Sequence, residues 1–289
     1  MTQIQFAAPD TVADAVKCLA DANGGAKILA GGTDLLVQLR AGRLAADTIV
    51  DIKHIPEVRA ITAEDGGFRV GAAVSGAELG EHPDVRRAWP GVVEALELIG
   101  SAQIQSRASL GGNLCNGSPA ADSVPAMIAA ATICTIAGPN GQREAPVEDI
   151  VTGPGQTSLA IDEFIVNFFL PPRPPHSGDA YLRFIPRTEM DIAVVGAGVS
   201  LTLDDEGTCT TARVSLGAVA PRLLLVEDAA RVIIGTRLDD TVLEKLGVVA
   251  STACDPIDDK RGTVAYRTKV AGVLTRRAAA IALERARAN

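Results

Sequence analysis

The sequence predicts an α+β protein built from two domains. Short strand and helix patterns mix up to about residue 150 without a regular β-α-β period, and the later part alternates as an antiparallel hairpin followed by helices. Between the two patterns lies "PPRPPHSG" at 171–178, which is typical of a linker. Because 289 residues exceed one typical domain, we place a domain boundary in this stretch.

The first helix is predicted in "PDTVADAVKCLADANGG". Asp10 and Thr11 are candidate N-caps, apolar residues follow at helical spacing, and the pair Gly24-Gly25 marks the end. The next segments predict a buried strand, a tight turn, a helix and a second strand, at 27–29, 30–32, 34–40 and in "DTIVDI".

The middle of the chain continues with mixed elements around one long loop. "GFRVGAAVSGAELGEHPDV" predicts a strand that leads into a helix beginning at Ser75, and "WPGVVEALELIG" predicts another helix. Residues 100–122 are small, polar and almost uncharged, which predicts a loop before the helix "ADSVPAMIAAA". Strands are then predicted in "TICTIAG", in "GQREAPVED" and in "LAIDEFIVNFFL", the last of which stops at the prolines.

The C-terminal part is predicted as a small α+β domain. "DIAVVGAGVSLTLDDEGTCTTARVSLGAVAP" alternates and turns at Asp-Glu-Gly, which is typical of an antiparallel hairpin. Three helices are predicted after it, in "VEDAARVIIG", "DDTVLEKLGVVAST" and "TVAYRTKVAGVLTRRAAAIALERARAN".

Composition argues against several classes of function. A net charge of −8 disfavours nucleic-acid binding through a basic face, and the few aromatic residues disfavour a stacking platform. The five cysteines form no CxxC pair and the three histidines are scattered, so neither a disulfide framework nor a metal or iron–sulfur site is expected. With no signal-peptide pattern and no apolar stretch long enough to cross a bilayer, a cytoplasmic protein is expected.

Two glycine-rich segments are candidate ligand-binding loops, "LAGGTDLL" at 29–36 and "ASLGGNLCNGSPAAD" at 108–122. Glycine lets the backbone approach a ligand closely, and backbone N–H groups exposed before a helix bind anions. The side chains of Thr33, Ser109, Asn113 and Ser118 can also donate hydrogen bonds to phosphate oxygens.

These loops match neither common phosphate-binding motif. They lack the P-loop lysine, and neither is a GxGxxG that follows a long strand. What remains is a pyrophosphate or dinucleotide held by two neutral loops, with Asp34 and Asp122 on ribose or sugar-alcohol hydroxyls. The simpler alternatives stay open: each glycine pair is only a turn, Asp122 is an N-cap for the helix near Ser123, and Cys115 is a small packing residue.

The segments "KILAGGTDLLVQLRAG" and "RASLGGNLCNGSPAADSVPAMIA" resemble the FAD-binding medium subunit of the molybdenum hydroxylases, the family of xanthine dehydrogenase and aerobic carbon monoxide dehydrogenase. "YLRFIPRTEMDIAVVGAGV" and "YRTKVAGVLTRRAAAIA" extend the resemblance, in the same order, to nearly the whole chain. The resemblance implies a two-part FAD-binding domain of the vanillyl-alcohol-oxidase (PCMH) type at 1–175, with subdomains of about 1–55 and 56–175. A C-terminal α+β domain with a small antiparallel sheet and helices would follow at 179–289.

The resemblance also implies which residues bind the cofactor. In the family the first loop holds the FAD diphosphate, and the second wraps the diphosphate and the ribityl chain. Ile99 matches a position beside the flavin ring, Ile165 one near the adenine, Arg183 one where relatives usually have Lys, and Ile192 one where the carbon monoxide enzyme has Tyr. The implied contacts to non-covalent FAD come from Ile28, Leu29, Ala30, Gly31, Gly32, Thr33, Asp34, Leu35, Ile99, Ala108, Ser109, Gly112, Asn113, Cys115, Asn116, Asp122, Ile165, Arg183 and Ile192.

The implied function is an electron relay. A large partner subunit would carry the molybdenum cofactor, a small one would carry two [2Fe-2S] clusters, and the three would assemble as a dimer of heterotrimers. FAD in this chain would pass the electrons to NAD⁺, a quinone or oxygen, so no catalytic side chain and no metal ligand is expected here. Two alternatives stay open: a stand-alone FAD-dependent oxidase or reductase, for which no general acid stands out, and a non-enzymatic nucleotide-binding protein.

Overall fold

The computed structural model describes residues 4–289 and begins with a small parallel sheet. Its elements are β1 (Gln5–Ala7), α1 (Val12–Asp21), β2 (Ala26–Leu29), α2 (Leu35–Arg40) and β3 (Thr48–Asp51). The strands pair in the order β1-β3-β2, all parallel. The expected absence of a β-α-β period is therefore wrong for this part, because β1 has three partly exposed residues that leave no hydrophobic pattern.

The start of α1 confirms one of the two candidate caps. The Thr11 Oγ accepts the Asp14 N–H at 3.1 Å, whereas Asp10 makes no capping contact to α1. Satisfying one of the free N–H groups of the first helical turn stabilises the helix by about 1 kcal/mol. The face of α1 formed by Ala15, Val16 and Leu19 is buried against the parallel sheet and its neighbours.

The second part is a five-stranded antiparallel sheet with helices packed on it. Its elements are β4 (Ile61–Glu64), β5 (Gly67–Gly71), α3 (Gly76–Glu81), α4 (Pro83–Ala88), α5 (Pro90–Glu97), α6 (Ala102–Gln105), α7 (Leu110–Cys115), α8 (Ser123–Ala129), β6 (Ile133–Gly138), β7 (Gly141–Pro146), β8 (Val151–Gly153), β9 (Gln156–Thr157) and β10 (Phe164–Leu170). The strand order is β4-β5-β10-β6-β7, and β8 pairs with β9 separately. The apolar run "FIVNFFL" forms the central strand β10, which is buried along most of its length.

Two predictions in this part have different outcomes. Ser75 is confirmed as the start of α3, where it forms a capping box with Glu78. The long loop predicted at 100–122 is wrong in part, because α6 and α7 lie inside it. Glycines weaken a helix, so the sequence of α7 predicts a loop; its Leu110 and Leu114 are nevertheless fully buried and hold the turn in place.

The third part is a four-stranded antiparallel sheet covered by three helices. Its elements are β11 (Ser177–Phe184), β12 (Val195–Leu203), β13 (Cys209–Gly217), β14 (Leu224–Leu225), α9 (Glu227–Ile233), α10 (Asp240–Thr252) and α11 (Val264–Ala288). The order is β11-β12-β13-β14, which confirms the predicted hairpin as β12 and β13. The three helices and the α+β class are confirmed as well.

The segment between the second and third parts differs from the predicted linker. Ser177 and Gly178, placed in the linker by the sequence, already belong to β11. Arg173 is also buried, paired with Asp179 and stacked over the Trp89 ring at 5.1 Å. The pair between Arg173 and Asp179 therefore holds this connection against the start of β11.

Three apolar clusters form the core, and two of them cross from one part of the chain to another, while the third lies within the C-terminal part. The first sheet shares its cluster with Phe164 and Val166 of β10, and the second sheet shares its cluster with Tyr181 and Leu223 of the third part. Within residues 4–289, no helix is both long and apolar enough to cross a bilayer.

Candidate functional site

The two glycine loops line one cleft of about 420 Å³, which is the size of a small-molecule site. The first loop joins β2 to α2, and the second runs from α6 through α7. Fifteen of the predicted contact residues lie in the wall of the cleft: Ile28, Ala30, Gly31, Gly32, Thr33, Asp34, Leu35, Ile99, Ala108, Ser109, Gly112, Asn113, Cys115, Asn116 and Ile165.

The first loop presents a run of backbone donors. The N–H groups of residues 31–34 donate no hydrogen bond to any group within residues 4–289. A Cβ on Gly31 would lie 1.9 Å from the Arg107 carbonyl oxygen, so only glycine lets this loop touch the second loop. Gly32 has φ +82°, a conformation that other residues rarely adopt. Successive unpaired N–H groups of this kind form a concave anion site.

The second loop is held in shape by its own hydroxyl and amide side chains. The Ser109 Oγ caps α7 by accepting the Gly112 N–H at 3.2 Å. The Asn113 Oδ1 accepts two hydrogen bonds from Ser123, one from the backbone N–H at 3.1 Å and one from the side-chain hydroxyl at 2.7 Å. Because the Asn113 oxygen is occupied by Ser123, its Nδ2 is the atom left to donate toward a ligand in the cleft.

Charged side chains contribute little to the cleft. In the described part of the chain its wall contains one basic side chain, Lys27, and two acidic ones, Asp34 and Glu163. Arg143 pairs with Glu163 at 2.7 Å and lowers the pKa of that carboxyl. Burial raises the pKa of Asp34, which disfavours its charged form. The cleft therefore depends on backbone and neutral dipoles to bind an anion.

Cys115 lies in the wall with its thiol protonated. Solvent reaches this residue through the cleft, yet the protein atoms packed around the sulfur disfavour the thiolate and raise its pKa to about 12. A thiolate is needed for nucleophilic or redox chemistry. The raised pKa argues against a reactive role for Cys115, and its exposure argues against the packing interpretation.

Four predicted contact residues lie outside the cleft wall. Leu29 ends β2 opposite Asp51, and Ile192 is 54% exposed before β12. Asp122 precedes α8 but makes no side-chain capping bond, so the capping interpretation is wrong. Its carboxylate turns instead to β11, where it accepts the Tyr181 hydroxyl at 3.1 Å and the Arg183 Nη1 at 2.7 Å.

Arg183 has a buried hydrogen-bond donor without a partner in the described part of the chain. Its side chain is 5% exposed, and its buried Nε has no hydrogen-bond partner in the described residues. Burial raises the pKa of Asp122, while Arg183 and the Tyr181 hydroxyl act in the opposite direction. A buried unpaired N–H is costly, and the Arg183 Nε lacks a hydrogen-bond acceptor among residues 4–289.

Ten further residues of the cleft wall are not among the predicted contacts. The added residues are Lys27, Gln38, Leu44, Ile52, Ala72, Gly111, Gly155, Leu159, Glu163 and Phe164. Four of them could have been found from their place in the sequence. Three adjoin predicted contacts, namely Lys27, Gly111 and Phe164, and Gln38 lies one helical turn after Asp34. Leu44, Ala72, Gly155 and Leu159 carried no such local signal, because only the fold brings them to the cleft.

Two family models match this chain, one in its N-terminal segment and one in its C-terminal segment. Residues 2–173 match the family model described as the FAD binding domain in molybdopterin dehydrogenase. Residues 180–282 match the CO dehydrogenase flavoprotein C-terminal domain.

Relatives match along nearly their whole length. The chain is 36% identical over 270 residues to the xanthine dehydrogenase FAD-binding subunit of Escherichia coli O157:H7, covering 92% of this chain and 91% of that one. It is 32% identical over 281 residues to the carbon monoxide dehydrogenase medium chain of Afipia carboxidovorans, covering 97% and 96%.

The fold agrees with a solved relative. A chain of carbon monoxide dehydrogenase from Hydrogenophaga pseudoflava, in a form lacking the Mo-pyranopterin moiety of the molybdenum cofactor, superposes with a TM-score of 0.94 at 30% identity over 98% of both chains. The chain therefore belongs to the family of FAD-binding medium subunits of the molybdenum hydroxylases, which are oxidoreductase subunits.

Proposed function

We propose that this chain binds FAD non-covalently in the cleft between its two glycine loops and relays electrons from a partner's [2Fe-2S] clusters to an external acceptor. The observation that carries the proposal is the run of unpaired N–H groups at 31–34, beside a loop that only glycine at position 31 can approach. A diphosphate is the part of FAD that these donors fit, since they supply hydrogen bonds without a basic side chain.

Polar and apolar residues of the cleft wall would contact different portions of FAD. The first loop would hold the diphosphate through residues 30–35, and Ser109, Gly112, Asn113 and Asn116 would hold the rest of the diphosphate and the ribityl hydroxyls. The apolar residues Ile28, Ala108 and Cys115 would exclude water around them. Ile99 would lie beside the flavin ring and Ile165 near the adenine.

Arg183, Asp122, Ile192 and Leu29 complete the proposed set. The unpaired Nε of Arg183 would donate to an acceptor on the flavin ring, while Asp122 holds the guanidinium from the other side. The exposed Ile192 would cover the ring face. Leu29 would act as the first residue of the first loop, where β2 ends.

The residues of this chain hold and shield the cofactor. FAD, when bound, supplies the exchange between one-electron and two-electron carriers. Among the described residues the charged groups of the cleft wall are Lys27, Asp34 and Glu163, and Glu163 is already paired with Arg143. Such a site suits a relay, in which side chains need to orient the flavin and exclude water rather than transfer protons to a substrate.

The proposal extends to the assembly. The domains would be residues 1–175, with subdomains of about 1–55 and 56–175, and residues 179–289. Relatives are named as medium chains, and a structural relative is described as a form lacking the Mo-pyranopterin moiety, which supports partners that carry molybdenum. We place the chain in a cytoplasmic dimer of heterotrimers with a large molybdenum-cofactor subunit and a small iron–sulfur subunit, and with NAD⁺, a quinone or oxygen as acceptor.

An absorption spectrum tests this function. The purified chain is compared with the complex isolated from its native host. Flavin bands in the chain alone, with iron–sulfur absorbance and molybdenum only in the complex, are the expected result. Flavin-dependent turnover by the chain alone would favour a stand-alone oxidase or reductase, and absence of flavin from both samples would overturn the proposal.

A further inference from the structure

We propose that the hydrogen bond between Gln38 and Asn116 is a latch across the mouth of the cleft, and that it controls how fast FAD enters and leaves. The Gln38 Nε2 donates to the Asn116 Oδ1 at 2.8 Å. Gln38 lies on α2, after the first glycine loop, and Asn116 lies just after α7, in the second. Both side chains are half-buried and both line the cleft. The inference rests on the proposed function, since it concerns the same cofactor.

The side of the latch that carries Gln38 is loosely attached. No residue of α2 is buried, and Leu36 and Val37 are 53% and 64% exposed. Within residues 4–289, the bond to Asn116 is the one side-chain hydrogen bond that joins α2 to the rest of the fold. Elements with little buried apolar surface are the ones that open locally at low free-energy cost. Helix α2 is therefore the part of the wall able to move.

The side that carries Asn116 is firmly attached. Leu110, Gly111 and Leu114 of α7 are buried in the core. The Gly155 N–H donates to the Gly117 carbonyl at 2.9 Å and ties the residue after Asn116 to the β8–β9 hairpin. A mobile α2 is thus fastened to a fixed α7 by one side-chain pair.

The two loops meet at two points, with the anion-binding amides between them. At one point Gly31 packs against the Arg107 carbonyl oxygen, and at the other Gln38 bonds to Asn116. The amides of residues 31–34 therefore lie on a stretch of chain that is held at Gly31 and again at Gln38. Breaking the side-chain bond is the easier step, because the Gly31 contact is between two backbones.

Removing a latch and removing an ordinary ligand contact would change the rates of FAD uptake and release differently. Loss of a latch raises the open fraction of both the free and the loaded chain, so uptake and release accelerate by the same factor. The dissociation constant then stays unchanged. Loss of a ligand contact raises the release rate only, and the dissociation constant rises with it.

The test measures FAD uptake and release on the full chain by flavin fluorescence, with uptake followed by rapid mixing and release by dilution. Gln38→Leu keeps the helix propensity and removes the bond. We expect both rates to rise about two- to tenfold with an unchanged dissociation constant, the effect of one neutral hydrogen bond. The matched control is Gln142→Leu on exposed β7, which lies outside the cleft wall and is expected to change neither rate.

A double variant tests whether the two residues act together. In an Asn116→Leu background, Gln38→Leu is expected to add no further acceleration. Additive effects, a rise in the release rate alone, or unchanged rates in Gln38→Leu would each overturn the latch while leaving FAD binding intact. Failure of the unmodified chain to bind FAD would overturn both the latch and the proposed function.

Discussion

Gly112 is the residue at which the size of the cleft can be tested with least disturbance to the fold. A Cβ built there meets only the Ser109 Oγ, at 3.3 Å, and otherwise points into open space. Gly32 is a poorer position for the same test, because its positive φ strains any other residue. Gly31 is poorer still, because a Cβ would collide with the backbone of Arg107.

We therefore expect Gly112→Val to abolish FAD retention while the protein stays folded. The valine methyls would extend into the space between the two loops that we assign to the diphosphate and ribityl chain. Bound flavin after purification, set against the thermal unfolding temperature, measures this. Gly112→Ala is the matched control and should keep most of the flavin, since it adds one tight contact. Full flavin content in Gly112→Val would show that the cofactor lies elsewhere.

Arg183 and Asp122 illustrate a residue pair whose role the sequence leaves open. The motif places both near the flavin, but neither lines the cleft, and each contacts the other. Tyr181, which no motif singled out, donates the second hydrogen bond to Asp122. A sequence pattern identifies such residues one at a time, whereas their mutual contacts depend on β11 packing beside α8.

At the scale of elements, α11 and β11 pack more closely than ordinary side chains allow. A Cβ on Gly178 would lie 1.8 Å from the Ala282 carbonyl oxygen. The helix face toward the sheet carries small residues, and Ala278, Ala279, Ala282 and Ala286 are fully buried. Small residues on this face let the long helix pack closely on both β11 and β12.

Ala282→Leu is expected to destabilise the protein by about 1–3 kcal/mol, because three added carbons have no space between α11 and the sheet. The free energy of unfolding from urea denaturation measures the change. Glu284→Leu, an exposed position on the same helix, is the control and should leave it nearly unchanged. Equal effects of the two variants would mean that α11 does not pack on the sheet as described.

Elements also differ in how well their sequence predicts them. Strand β10, the β12–β13 hairpin and the three C-terminal helices follow from apolar periodicity and turn residues. Strand β11 was missed because its sequence "SGDAYLRF" contains Gly, Asp and Arg, which are unfavourable in strands. Pairing with all eight partner positions of β12 compensates for that composition.

At the scale of the whole molecule, an ionic cluster joins the second part of the chain to the third. Asp179 on β11 accepts the Gly91 N–H of α5 at 2.8 Å and pairs with Arg173, and both charged side chains are less than a tenth exposed. Arg285 of α11 donates to the Asp179 carbonyl at 2.8 Å and pairs with Glu94 of α5. The cluster thus fixes the C-terminal part against the helices of the second sheet.

We expect Asp179→Asn to lower the free energy of unfolding by about 3–5 kcal/mol, because it leaves the Arg173 charge buried without a partner. Denaturation followed by Trp89 fluorescence and by circular dichroism measures the loss. Asp21→Asn makes the same change in an exposed pair with Lys17 and should have almost no effect. A small loss at Asp179 would show that the junction is solvated rather than buried.

The sequence by itself determined the α+β class, the two glycine loops and the family, because these depend on local patterns and on motifs contiguous in the chain. Only the tertiary structure decided that the strands within residues 5–51 form a parallel sheet, that α7 is helical despite its glycines, and that Arg173 in the predicted linker forms a buried ion pair. It also brought Gln38 to Asn116 and Tyr181 to Asp122. These contacts join residues tens of positions apart, and their energy comes from burial and pairing that exist only after the sheets and helices have packed.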